Sequence, residues 1–347
     1  MSTRRQFLRM SAIIGAGLLG KGGLSLTHAQ DQLPEGEPFE YLELTGAIRR
    51  IHDPVMIKDG DSYYCFATHG GIYIRKSDNL LDWERPFPPS VFAPTNAPDW
   101  TQELVPGSNN DIWAPDISYF NDKFHLYYSV STFGSNRSAI GLVTNVTLDS
   151  ESDDYEWVDE GLVVESVLTN NYNAIDPNLV LDADGVPWLS FGSFWTGIKM
   201  LRLDYETGKP SEEDTTVYSL AQRYVNHGAV EAPFIIRRGD FYYLFVSFDF
   251  CCRGSDSTYH VRMGRSESVT GPYVDRDGVE MLEGGGTQVT FPTQRWRGPG
   301  HNAILQDGDT DYLVHHAYDA DNQGVETLRI APLVWDDEGW PSLRPSE

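Results

Sequence analysis

Positive charge is scarce in this chain. Twenty-six lysines and arginines face 51 acids across 347 residues, a net charge of −25. Four of those cations, Arg4, Arg5, Arg9 and Lys21, fall in residues 1–29, where there is no acid, so the remainder stands near −29. A surface of that sign repels phosphate backbones and anionic lipids, which argues against nucleic acid and membrane surfaces as partners. Lysine is the rarer cation. That balance is compatible with a high-salt habitat, where dense carboxylates stay hydrated and screened, and equally with an ordinary acidic secreted protein. Cysteine is scarce too, with only Cys65, Cys251 and Cys252. An odd count at these spacings resembles neither a disulfide framework nor a zinc site. Buried thiols are the expectation, and a vicinal Cys251-Cys252 bond is the alternative.

Long apolar runs are also missing. The run at residues 11–20 is about half of the ~20 residues that a membrane span needs. It follows Ser2-Thr3-Arg4-Arg5-Gln6-Phe7-Leu8 and leads to a small-residue approach to Ala29. This is the pattern of a twin-arginine export signal, so residues 1–29 are expected to be removed, leaving 30–347 as a secreted or periplasmic chain. Export by that route follows folding in a reducing cytoplasm, which is the ground for expecting thiols.

Helical periodicity beyond three turns is absent as well. Gly, Tyr, Phe and Trp are abundant instead, the bias of many short strands and tight turns. Five segments share one plan: a polar residue or acid near Pro, a β-rich run, a turn of Asp, Asn or Gly, then an aromatic strand. They begin at His52-Asp53-Pro54, Ala114-Pro115-Asp116, Ile175-Asp176-Pro177, Glu231-Ala232-Pro233 and Gly300-His301-Asn302. Their turns are Gly60-Asp61, Asn121-Asp122, Asp184-Gly185, Gly239-Asp240 and Gly308-Asp309. Apolar alternation flanks the turns, with Val55 and Ile57 before the first and Tyr64 and Phe66 after it. Residues 71–76 and 139–144 read as third strands, and residues 331–340 as the strand closing the ring. Starts spaced roughly 55 to 70 residues apart suit four strands plus loops. The fold class predicted is therefore all-β: a single five-bladed β-propeller over residues 30–347 with an axial active-site cleft.

Radial closure brings the repeat starts to one face of the axis, where Asp53, Asp116, Asp176, Glu231 and His301 would converge. Turn chemistry explains a single Asp, but several acids around one axis are costly unless they do work. Glycoside hydrolysis needs one carboxylic acid for the leaving oxygen and one carboxylate for water or the sugar, and a third carboxylate can set the acid's pKa.

Further motifs lie between these starts: Asp111-Ile112-Trp113-Ala114-Pro115-Asp116, Asn173-Ala174-Ile175-Asp176-Pro177, Ser193-Phe194-Trp195, Val230-Glu231-Ala232-Pro233-Phe234, Cys251-Cys252-Arg253-Gly254 with Ser257-Thr258-Tyr259, and Gly298-Pro299-Gly300-His301-Asn302. With His52-Asp53-Pro54, and in this order from about residue 48 onward, they resemble glycoside hydrolase family 43, and within it the endo-α-1,5-L-arabinanases. The resemblance implies Asp53 as general base, Glu231 as general acid, and Asp176 as the group that tunes and positions Glu231. It implies inversion at the anomeric carbon, with about 6.5 to 9.5 Å between base and acid to admit water. Asp116 would be supporting. His301, which taken alone reads as an ordinary hydrogen-bonded core histidine, would face a calcium ion whose shell water completes. Trp113, Phe133, Phe194 and Trp195 would stack on sugar faces, Phe133 and Trp195 foremost, while Asn173 and Ser193 bond hydroxyls. The implied partner is arabinan or its oligosaccharides, taken by a monomer. Rivals are an exo-arabinofuranosidase or β-xylosidase of the same family and a non-catalytic carbohydrate-binding propeller. Ending soon after the fifth repeat, without an appended sandwich, the chain is expected to be open to internal attack on a polymer.

Overall fold

The computed structural model describes residues 33–346. The expected export signal, residues 1–29, and the expected start of the mature chain lie outside the described residues. From Pro34 onward the chain forms one compact unit built almost wholly of strands. Among the described residues one five-residue helix, Trp100–Leu104, and a few 3-10 turns are the helical content, and no helix is long and apolar enough to cross a membrane.

Five antiparallel sheets follow one another as blades, each running from the axis outward. Blade one holds Val55–Asp59, Ser62–Ala67 and Tyr73–Ser77, and its outer edge is reduced to bridges from Tyr73 to Ser90 and Lys76 to Glu84. Blade two holds Trp113–Phe120, Lys123–Val130, Ser138–Asn145 and Val158–Ser166. Blade three runs through Asn178–Leu181, Pro187–Phe191, Ile198–Arg202 and Tyr218–Ala221. Blade four comprises Val230–Arg238, Phe241–Phe248, His260–Ser266 and Thr287–Gln288. Blade five comprises Trp296–Asp307, Thr310–Asp319, Val325–Trp335 and Pro341–Leu343. Neighbouring inner strands touch all the way round, the last against the first. The repeat read from the sequence is thus the blade.

Local chemistry explains the hairpins. Asn121 and Asp122 both take left-handed φ, 48° and 58°, the turn whose twist matches that of the strands it joins. The simple alternation expected along the strands does not hold in the second strand of each blade. Lys123–Val130 is buried at every position after the first, and Pro187–Phe191 throughout. Blades stack face to face, so both faces of this strand are covered, and the core is a set of interblade layers rather than one centre.

Ring closure also differs from expectation. Residues 331–340 fall in the third strand of blade five and the turn after it. The outer edge of that blade is completed from both chain ends: Pro341–Leu343 pairs with Leu333–Trp335, while Phe39 bridges Pro345, Arg49 bridges Thr327, and Leu42 N donates to Ile330 O at 2.9 Å. An N-terminal segment carries no repeat signature, which is why the repeat pattern does not reveal it.

Asp116 is a strut between blades and takes no part in the cleft. Its buried carboxylate accepts from Asn178 Nδ2 at 3.1 Å and Leu179 N at 2.8 Å, and Asn178 Oδ1 accepts from Ile235 N at 2.8 Å. Blades two, three and four are joined by this line. Asp116→Ala orphans a buried N–H and an amide, so it should lower unfolding stability by roughly 2–4 kcal/mol in urea melts, against about 0.5 kcal/mol or less for Asp309→Ala on an exposed turn.

Candidate active site

Each inner strand leaves the axis through a residue with left-handed φ: Asp53 at 51°, Ala114 at 32°, Asp176 at 57°, Ala232 at 54° and His301 at 50°. Bulges in the ladders of blades two, four and five lie at this point. The residues just before these five are therefore equivalent: His52, Trp113, Ile175, Glu231 and Gly300. Opposite them on the second strands stand Thr68, Ser129, Gly192, Ser247 and His316, fixed by Trp113 opposite Ser129, Glu231 opposite Ser247 and Gly300 opposite His316, and by Thr68 N to His52 O and Gly192 N to Ile175 O. This corrects the sequence register. Asp53, Asp176 and His301 are true equivalents, whereas Glu231 precedes its blade's left-handed residue and Asp116 lies two beyond it.

The bent backbone is held from the neighbouring blade. Asp53 N donates to His316 Nδ1 at 3.1 Å, Ala114 N to Thr68 Oγ1 at 2.7 Å, Asp176 N to Ser129 Oγ at 2.9 Å and His301 N to Ser247 Oγ at 2.8 Å. Blade three has Gly192 where the others carry a side-chain acceptor. There Ala232 N is taken instead by Asp176 Oδ2 at 3.1 Å, so one carboxylate anchors the turn that presents Glu231.

The three carboxylates sit in different electrostatic settings. Burial works to raise the pKa of Asp53, but it is outweighed by His301 and His52, whose Nδ1 atoms lie 2.9 and 2.7 Å from Oδ1, and the carboxyl is held well below its usual range. Thr68 Oγ1 donates to its other oxygen at 2.6 Å. Asp176 is pushed up by burial and by the negative charges of Glu231 and Asp53, against the pull of His301. Glu231 is also raised by burial. Its Oε2 accepts from Ser193 Oγ at 2.7 Å, and the buried Tyr259 hydroxyl faces it without meeting hydrogen-bond geometry. One carboxyl held down and two pushed up therefore share the axis, the separation that acid and base chemistry requires.

Histidines make this arrangement tolerable. His301 is raised to about 9: its burial is more than offset by Asp53, Asp176 and Glu231. His316, pushed far down by burial and by neighbouring His52, stays neutral and accepts the Asp53 N–H through Nδ1. Its ring stacks 4.0 Å from that of His52. Gly300 is required here because a Cβ would fall 2.2 Å from the Tyr259 ring.

His301 gives Nδ1 to Asp53, and its Nε2 makes no hydrogen bond to a described residue. The surrounding acids favour a proton on this imidazole, so a metal at Nε2 would have to displace that proton, with Nδ1 still held by Asp53. His301 would contribute a single nitrogen, so water must complete the shell of an oxygen-seeking ion such as calcium. The clusters of three candidate ligand side chains found among the described residues are His52, Asp53, His316 and His52, Cys251, Cys252, neither including His301. The second has no thiols to offer. Cys251 and Cys252 form a disulfide, contrary to the expected thiols, and Cys65 alone is free and buried.

All ten residues singled out for catalysis, sugar contact or metal line one cleft of about 1070 Å³: Asp53, Trp113, Phe133, Asn173, Asp176, Ser193, Phe194, Trp195, Glu231 and His301. Phe133 and Trp195 are 80% and 40% exposed, leaving ring faces for a ligand. Ser193 gives its hydroxyl proton to Glu231, and Asn173 Oδ1 accepts from Ser138 Oγ at 2.7 Å, which leaves the Asn173 amide as the freer group. Trp113 Nε1 is tied to Asp111 Oδ2 at 3.1 Å. Sequence reasoning missed Thr68, His52, His316 and Tyr318. His52 stood in a quoted motif, but the others are second-strand residues that no motif flagged.

Against known proteins, residues 48–341 match the family described as glycosyl hydrolases family 43. The extracellular endo-α-(1→5)-L-arabinanase 1 of Bacillus subtilis (strain 168) is 47% identical over 296 residues, covering 84% of this chain and 87% of that protein. The extracellular exo-α-(1→5)-L-arabinofuranosidase of Cellvibrio japonicus is 43% identical over 307 residues, covering 86% and 87%. Among solved structures, the Bacillus licheniformis endo-arabinanase superposes with a TM-score of 0.80 at 48% identity, covering 87% and 99%. The Cellvibrio cellulosa α-L-arabinanase complexed with arabinohexaose gives 0.79 at 43%, covering 84% and 95%.

Thr68→Val tests the interblade clamp. It removes a donor to Asp53 and orphans the buried Ala114 N–H, so stability in urea should fall by roughly 1–3 kcal/mol despite the matched shape.

Proposed function

The chain belongs to glycosyl hydrolases family 43, and from that premise we propose that this glycoside hydrolase cuts internal α-1,5 linkages of L-arabinan with inversion at the anomeric carbon. The observation that carries the mechanism is the split among the three axial carboxylates. Asp53, kept ionised by His301 and His52, acts as general base on the attacking water. Glu231, whose proton burial favours, acts as general acid; with Oε2 accepting from Ser193, Oε1 is left to carry the proton toward the leaving oxygen. Asp176 fixes the Glu231 turn through Ala232 N, and its own carboxyl, pushed up by burial and by Glu231 and Asp53, sits beside the acid.

Substrate would lie along the cleft, its sugar faces on the exposed rings of Phe133 and Trp195 and its hydroxyls near Asn173. Relatives described as extracellular support secretion of this chain, and the twin-arginine segment offers the route. A calcium ion at His301 would be held through Nε2 with water in its other positions, and it would supply positive charge at the foot of the cleft. A relative described as exo-acting, at 43% identity, keeps terminal release as the second reading.

On linear α-1,5-arabinan, purified protein is expected to release a ladder of short oligosaccharides, and Glu231→Ala to abolish it. Arabinose as sole product would establish exo action, and no release would remove the arabinan reading. The pH profile of kcat/KM on a short arabino-oligosaccharide should be a bell. Its acid limb should lie below about pH 4, where depressed Asp53 finally protonates, and its alkaline limb should follow loss of the proton from the buried Glu231 and Asp176 pair.

A further inference from the structure

The Cys251–Cys252 disulfide lies in the cleft wall and takes no part in the steps above. Cys252 has a left-handed φ of 64°, and its N–H donates to the Tyr318 hydroxyl at 2.7 Å. That hydroxyl is 2.8 Å from His52 Nε2, and His52 Nδ1 is 2.7 Å from Asp53 Oδ1. The Cys252 sulfur itself lies 3.9 Å from His52 Nε2. The line is satisfied in one direction: Tyr318 accepts from Cys252 and donates to Nε2, which puts the His52 proton on Nδ1, facing the carboxylate.

A disulfide between adjacent residues closes a small ring through their shared peptide, so the dihedrals of that peptide are not free. A left-handed φ is disfavoured for an ordinary L residue, and the ring holds Cys252 against that preference. With the S–S bond open, the turn can relax and take its N–H away from Tyr318. Tyr318 then loses the Cys252 donor and keeps only the Ser257 hydroxyl beside it, so it is held less firmly against His52 and sets that tautomer less firmly.

We propose that the Cys251–Cys252 disulfide positions the site, fixing through Tyr318 the tautomer and orientation of His52 and thereby the grip on Asp53. Tyr318 and His52 are positioning residues in this scheme. It rests on the reading of Asp53 as the base. The thiol pair would then hold the site loosely, and forming the S–S bond, with both protons and two electrons passed by thiol–disulfide exchange to an external disulfide that leaves as two thiols, would set it.

The test compares the oxidised enzyme with the same enzyme treated with a water-soluble phosphine. The S–S bond breaks and two thiols form; the phosphine gives two electrons and leaves as its oxide, and water supplies the oxygen and both protons. Cys65 is already a thiol, so the reagent has one target. On an arabino-oligosaccharide, kcat should fall about threefold to tenfold, the worth of a hydrogen bond in an ordered line, with KM unchanged. Tyr318→Phe should show a similar loss before reduction and no further response, as should the double variant Cys251→Ser, Cys252→Ser. Equal kcat in both states, with mass and alkylation showing two new thiols, overturns this proposal alone. So does a reductant response in Tyr318→Phe as large as in the parent, or untreated enzyme whose Cys251 and Cys252 are found as thiols. No hydrolysis by the oxidised enzyme overturns the functional reading and this proposal with it.

Discussion

A left-handed residue at the axial end of each inner strand is the constraint on which the molecule depends. None of the five is glycine: Asp53, Asp176 and His301 stand at three of the axial ends, and Ala114 and Ala232 at the other two. Such a backbone is disfavoured for side-chain-bearing residues and persists only when its surroundings over-determine it. Here the surroundings are the neighbouring blade, whose second strand sends a hydroxyl or an imidazole to the bent N–H. Blade three lacks that side chain at Gly192, and Asp176 fills the role. The residue that repairs the scaffold is thus one of the axial carboxylates, so geometry at Glu231 and the electrostatics of the trio cannot be separated.

Three buried carboxylates around one axis would repel if all were ionised. The sequence resolves this with imidazoles in different charge states. His301 is driven toward the cation by the acids around it, while His316, close by, is kept neutral by burial and by His52. Each histidine has a single oxygen or N–H to serve, and Asp53 collects three of those contacts. The charge pattern follows from placement: His52 and His301 meet the acids at the axial ends of inner strands, while His316 lies buried on a second strand.

Much of this was legible. Period and turn dipeptides gave five blades, because each hairpin needs its own special φ at the turn, and Gly, Asn and Asp mark such places. The cleft residues were legible because axial ends of repeats must converge. The register among repeats was not, since a bulge moves Glu231 off the position of Asp53 without leaving any trace in spacing. Nor were Thr68, His316 and Tyr318: they act from the far ends of aromatic second strands, where a polar residue reads as part of the run. The disulfide was unreadable for a different reason, since two adjacent cysteines look alike whether joined or free.

Blade five is finished by the two ends of the chain, with Phe39 beside Pro345 and Arg49 beside Thr327. Thr45–Gly46 can pair early with Asp82–Trp83, but the stretch from Phe39 to Leu42 has its strand partners only in the last part of the chain. Blades two, three and four can build from local hairpins as they emerge, but the ring can shut only through contacts nearly the whole chain apart in sequence, the slow kind to form. Until then blade five presents a bare sheet edge, the usual template for association with another chain. Closure thus acts as a completeness check: a truncated chain can form hairpins but has no means of sealing its circle.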